Sequence, residues 1–200
     1  MKRHLVMLAL LAAAAACGTD PKVVVRASLE PGGAPISDLP VQLLPYDRDA
    51  LIDSLGKAAD DPEPELPQEV LQQQQALQAE AAAVRQKGDT ALARWNAARR
   101  ALSAQLAAHQ RARAAWADSA YKDFPEVAKA AATARELSEA ADTTDASGRA
   151  ELPADEGQYW VYARYVLPET ELEWNVRMTH TGDSTIVPLT RANAKEKPLF

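Results

Sequence analysis

The sequence predicts an α+β fold, an antiparallel β-sandwich interrupted by an α-helical hairpin or three-helix coiled-coil segment. Both ends, 22–61 and 142–190, carry β-branched or aromatic alternating stretches punctuated by Pro and Gly. The middle, 62–141, is Ala-rich, with apolar residues at heptad spacing. A chain of 200 residues that is 47% apolar can bury one core and still carry an insertion.

The N-terminus reads as an address. Met1-Lys2-Arg3-His4 is followed by an uncharged apolar run from Leu5 to Ala16, the pattern of a signal peptide over 1–16. That run is too short to span a bilayer, which takes about 20 apolar residues. Ala14-Ala15-Ala16 then precede Cys17, the only cysteine, which cannot form an internal disulfide. These residues resemble the lipobox of bacterial lipoproteins, departing from it at Ala14, where Leu or Val is usual. The resemblance implies that Cys17 is acylated and becomes the new N-terminus of a lipidated tether, 17–21. Gly18, with no Asp in its place, favours the outer over the inner membrane. The competing reading is an ordinary signal peptide cleaved after Ala-x-Ala, leaving an incidental thiol. Cleavage removes Lys2 and Arg3 and so deepens the formal charge from −6 by two. An acidic domain gains nothing from anionic lipid, so the acyl chains would do the holding. The acidic balance also excludes a nucleic-acid binder, which shows a basic stripe.

From Lys22 the chain reads as strand, Val23-Val24-Val25 leading into Arg26-Ala27-Ser28-Leu29. Glu30-Pro31-Gly32-Gly33-Ala34-Pro35 is a turn, and Leu39 to Leu44 a second strand that Pro40 and Pro45 confine to an edge or to strand ends. Pro62 to Pro67 forms a stiff acidic linker, and Pro67 suits a first helical turn. Val70, Leu77 and Val84 recur every seven residues, Gly88 breaks the helix, and Asp89 or Thr90 starts the next. A seam then runs through Leu92, Trp95, Arg99, Leu102, Leu106, His109, Arg113 and Trp116. At 1.5 Å per residue, Thr90 to Tyr121 spans on the order of 45 Å. Lys122-Asp123-Phe124-Pro125 breaks it, and Val127, Ala130, Ala134 and Leu137 mark a shorter third helix. β texture returns with a turn at Asp145 to Gly148, a short strand, an aromatic strand from Tyr159 to Tyr165, another from Leu172 to Met178, and a last at Thr185 to Leu189. A polar tail, 191–200, completes the reading.

The two β ends resemble one module. Pro35-Ile36-Ser37-Asp38-Leu39-Pro40-Val41-Gln42-Leu43-Leu44, Thr143 to Gly148, Leu152-Pro153 and Gly157-Gln158-Tyr159 are similar to the carboxypeptidase-regulatory-like (transthyretin-like) domain, an Ig-like β-sandwich. Ala154-Asp155-Glu156 widens the usual spacing between the last two motifs. The resemblance covers about 22–46 and 142–190 and leaves the helical middle outside.

The chemistry points away from catalysis. After signal removal only His109 and His180 remain as imidazoles, so no His/Cys zinc set can be assembled. Asp47-Arg48-Asp49 and Asp60-Asp61 read as solvated loop charge, without an EF-hand pattern. No Gly-x-Ser-x-Gly elbow occurs, and no cofactor is implied. Trp95 and Trp116 read as packing residues of the seam. Trp160, Tyr162, Tyr165 and Trp174 are the candidate contacts for a ligand or partner, with packing beneath the insertion as their competing role. The expected function is a non-enzymatic envelope lipoprotein, anchored through Cys17, that presents its helical insertion to an envelope protein. A carbohydrate-binding lipoprotein using those aromatics is the alternative. A periplasmic transport adaptor is a third reading, weakened by the absence of lipoyl-like half-motifs. The seam is either intramolecular core or a binding face.

Replacing Cys17 by Ala should abolish both lipid labelling and membrane attachment. Radiolabelled palmitate incorporation checks this, and equal labelling of wild type and variant would refute it.

Overall fold

Val23, Val25 and Ala27 alternate with Arg26 along β1 (Lys22–Ala27), and the three apolar residues turn inward. That strand is the centre of a three-stranded sheet in the computed structural model, which describes residues 20–198. The expected signal peptide and Cys17 lie outside the described residues. β1 pairs antiparallel with β4 (Arg149–Pro153), Val23 facing Leu152, and parallel with β7 (Ser184–Leu189), Val25 facing Val187. A second, wholly antiparallel sheet has the order β3-β2-β5-β6-β8. Its strands are β2 (Pro40–Leu44), β3 (Ala140–Thr143), β5 (Gly157–Val166), β6 (Thr170–His180) and β8 (Lys195–Pro198). Among the described residues the fold is therefore α+β, with two antiparallel-rich sheets and four α-helices.

The sheets share one core. Val23, Val25, Leu152 and Leu189 of the smaller sheet meet Val41, Leu43, Tyr159, Val161, Leu172 and Trp174 of the larger, all at most 1% exposed. This face-to-face burial is compatible with a β-sandwich. Pro40 opens β2 and Pro45 follows it, so both prolines sit at strand ends although β2 is interior to its sheet.

All four helices lie between β2 and β3: α1 (Arg48–Ala58), α2 (Gln68–Glu80), α3 (Asp89–Ala120) and α4 (Phe124–Arg135). Gly88, at φ +87°, separates α3 from a 3-10 turn at Val84–Lys87. The helix α1 corrects the sequence reading of this stretch, which placed it in the β-rich end and took Asp47-Arg48-Asp49 as loop charge. Asp47 is its N-cap, Oδ1 accepting from Ala50 N at 3.2 Å, and Leu51, Ile52 and Leu55 give it a half-buried face. A second correction concerns the expected tail. Lys195–Pro198 is a charged edge strand paired with β6, and its exposed lysines discourage pairing with another chain.

The seam is intramolecular along α2 and α3. Val70, Leu77 and Leu102 form a buried cluster with Leu66, Trp95, Ala98 and Leu106 against it, while Leu92 and Trp116 are half-buried. The seam's polar positions are satisfied by the strand of chain opposite. Trp95 Nε1 donates to the Leu77 carbonyl at 3.1 Å, and Trp116 Nε1 to that of Asp61 at 2.8 Å. His109 Nε2 lies 3.1 Å from the Pro64 carbonyl, and Arg113 Nε donates to Glu63 at 2.8 Å. Arg99 instead lays its guanidinium over Trp95, 5.1 Å from the ring centroid.

Because Leu102 is 6% exposed and sits at the middle of this seam, Leu102→Ala should cost about 2–3 kcal/mol. The loss should appear in the helical signal of a circular-dichroism melt. A change of only a few tenths would mean that the seam is not held within the chain.

Candidate functional site

The strands β5 and β6 divide their side chains between two faces. Tyr159, Val161, Leu172 and Trp174 enter the core, while Trp160, Tyr162, Glu171, Glu173 and Arg177 turn outward. The four aromatic candidates split accordingly. Trp174 is fully buried, its Nε1 donating to the Thr190 carbonyl at 2.8 Å and to Asn193 Oδ1 at 3.1 Å. Tyr165 packs half-buried against the same core. Trp160 and Tyr162 face outward but are 6% and 9% exposed, so no open aromatic platform forms. What lies above them fits the packing role that the sequence also allows: Arg48 covers Tyr162 at 4.5 Å, and α4 joins Tyr162 in a cluster with Leu44, Tyr46 and Ala128.

Around Tyr162 the outward face is a paired charge network. Asp47 caps α1 and also accepts from Asn175 Nδ2 at 2.8 Å, while Asp49 pairs with Lys195. Glu173 takes both of its bonds from Lys197 Nζ at 2.9 Å, and Glu171 receives the guanidinium of Arg164. Glu171 and Glu173 are buried carboxylates, 7% and 6% exposed, which require such partners. The network ties the first turn of α1 to β6 and β8. The alternation read from Leu172 to Met178 puts Glu173, Asn175 and Arg177 on one face, opposite Leu172 and Trp174. Asn175's partner at the start of α1, Asp47, was hidden because that helix itself was not anticipated.

Beside the network, α4 and the β2–β3 side of the sheet enclose an open groove of about 790 Å³. Its floor is apolar, from Leu44, Tyr46, Phe124 and Ala128, and Lys129, Glu136 and Glu139 stand at its rim. Tyr46 stacks edge-on against Phe124 with centroids 6.5 Å apart. Burial first, and then hydrogen bonding and charge from Glu139, push its hydroxyl up to about 12. The groove can accept a small apolar group but aligns no nucleophile with a base. His180, expected in a β region, ends β6 fully buried, with Nδ1 2.9 Å from Thr185 Oγ1 and Nε2 without a partner. Among the described residues no three His, Cys, Asp or Glu side chains converge on a metal position. Nor is any described helix long and apolar enough to cross a membrane.

No family model, no curated protein and no solved structure matches this chain.

The raised Tyr46 hydroxyl carries a pH consequence. The folded state holds its proton more tightly than an unfolded chain with an ordinary phenol near 10. Its stabilising share is therefore complete below about pH 10 and is lost as pH rises through about 12. Tyr46→Phe should flatten the fall in stability across that window, read from denaturant melts at successive pH values. An unchanged slope would show that Tyr46 titrates normally.

Proposed function

We propose that this protein is a lipid-anchored module of the bacterial cell envelope, without catalytic activity, that holds the helical pair α2–α3 out toward a protein partner. In this reading a transthyretin-like sandwich is the mounting and the helices are a separable insertion. The observation that carries it is the independence of the helical pair. Its apolar cluster is made only of its own residues, from Leu66 to Leu106, and shares none with the sheet core. The pair attaches near the end of α3, where Trp116 and Tyr121 sit against Gly56 of α1. At 1.5 Å per residue the 32 residues of α3 reach about 48 Å, a spacer's length. The signal-like N-terminus and Cys17 support export and anchoring.

The carbohydrate-binding alternative needs exposed aromatics, and Trp160, Tyr162 and Trp174 are buried. The adaptor reading draws no support from any particular contact.

Excision separates the mounting from the arm. Replacing residues 61–119 by a short Gly-Ser linker changes loop entropy only logarithmically. The variant should keep a cooperative β melt and its membrane attachment. It should lose co-purification with the envelope protein that the intact chain brings down after mild detergent extraction. Retention of that protein by the excised variant would remove the arm from the interaction. Failure of the β melt would show that the sheets depend on the helices.

A further inference from the structure

Most cations on the outward face of the larger sheet are matched. Arg164 meets Glu171, Lys195 meets Asp49 and Lys197 meets Glu173. Arg135 and Arg177 are different, because neither joins an ion pair among the described residues. Both lie on the indole of Trp160 instead, their guanidinium carbons 4.9 and 5.8 Å from its centroid. Two separate elements bring them there. Arg177 is the cross-strand neighbour of Trp160 in the β5–β6 ladder, and Arg135 occupies the last turn of α4. With its amide turned so that the oxygen faces Arg177, Gln158 accepts from Nε at 3.0 Å and from Nη2 at 2.6 Å. The ring beneath is 6% exposed, while both arginine side chains reach solvent. Glu136, the next residue after Arg135, lines the neighbouring groove.

Each guanidinium stacks on the ring without a carboxylate partner among the described residues. Stacking on the indole orders both groups, and an anion would supply the missing counter-charge. We propose that Arg135 and Arg177, ordered on Trp160, form a binding site for a phosphate-class oxyanion. A carboxylate has two coplanar oxygens that suit one guanidinium fork, whereas a tetrahedral phosphate can offer separate oxygens to two forks from different directions. Two sources share this chemistry: a soluble phosphate and a phospholipid headgroup. The site lies toward the end of the fold where the chain enters. Trp160 is three residues along β5 from Gly157, whose partner is His180, and Lys22 N bonds to the Asp183 carbonyl at 3.1 Å. The headgroup source rests on the lipid-anchor reading of Cys17; the anion site does not.

The test uses the full chain in uncharged detergent micelles, with intrinsic tryptophan fluorescence as readout. Inorganic phosphate is titrated in one arm. In the other, the micelles are doped with phosphatidylglycerol, with diacylglycerol, which carries no phosphate, as reference. Trp160→Phe should remove the fluorescence response. The Arg135→Gln, Arg177→Gln pair should weaken whichever probe binds by about tenfold or more. Arg111→Gln, the same charge change on α3, should leave it unaltered. Binding of inorganic phosphate identifies a soluble ligand, and binding of phosphatidylglycerol alone identifies the headgroup. Either supports the site. If the double variant melts early, Arg135→Gln by itself, on the exposed last turn of α4, carries the comparison. Absence of binding in both arms, or equal weakening by Arg111→Gln, overturns the proposal.

Discussion

Everything in this fold depends on a joint that closes the chain after its long helical excursion. Thr144 is 2% exposed, and its hydroxyl both accepts from Leu39 N at 2.9 Å and donates to the Ile36 carbonyl at 2.7 Å. Its backbone exchanges two further bonds with Asp38 and Leu39. These contacts join segments 105 residues apart, and without them several buried backbone groups would lack partners. Just beyond, Asp145 Oδ1 accepts from Ser147 N, Ser147 Oγ and Arg149 N at 2.7–3.0 Å. The Ser147 hydroxyl above all holds that carboxyl below its usual range, so the turn is weakened as pH falls through the lowered value. Gly148 completes the joint at φ +73°, where a Cβ would collide with the Ala27 carbonyl. That carbonyl accepts from Ile36 N, while Ala27 N donates to the Gly148 carbonyl.

A joint of this kind explains how helices can be placed between β2 and β3 without disturbing the core. Once the ends of an excursion are fixed, further length costs little entropy. What needs stabilising is the return path over the outer face of the sheet, and α1 and α4 supply it. The Asp47 and Asp49 contacts hold the start of α1, and Phe124 and Ala128 seat α4 on Leu44 and Tyr46. Exposed ion pairs contribute little individually, so the apolar cluster under α4 does most of the seating. The consequence for a ligand is direct. The sheet face that sequence alternation marks as aromatic is used for attaching helices, and beside Trp160 the guanidinium groups of Arg177 on the sheet and Arg135 on α4 reach solvent.

Much of this was legible in the residues. The seven-residue recurrence of Val70, Leu77 and Val84 marked three residues that are all buried. The Asp145–Gly148 turn was marked by its composition, and Gly88 by its position between two periodic runs. Besides the short β3, which straddles the expected end of the helical middle at 141, two elements escaped. The helix α1 is short, contains Gly56 and owes its position to partners far away in sequence, Asn175 and Lys195. The strand β8 has no apolar alternation, since Lys195, Glu196 and Lys197 are all exposed, and is a strand only because β6 offers a free edge. Both are tertiary effects, and local pattern carries little trace of them. Strand alternation puts Trp160 and Tyr162 on one face, but does not foretell their cover: Arg135 reaches Trp160 from α4, a contact no spacing rule predicts.

The distribution of burial also orders the molecule dynamically. The sheet core joins strands from both ends of the chain around fully buried Trp174 and Leu172, so it opens only with the whole fold. The cluster between α4 and the sheet is smaller, and that between α2 and α3 rests on Val70, Leu77 and Leu102. In α3 only Leu102 is buried among 32 residues. Local opening free energies must therefore fall from the sheets toward the Gly88 end of the arm, since fewer apolar contacts are broken there. Such a gradient suits a part that adapts to a partner while its mounting stays fixed. It also separates the two proposed activities. An anion at Arg135 and Arg177 would engage the rigid sheet and the end of α4, and could bind without consulting the arm.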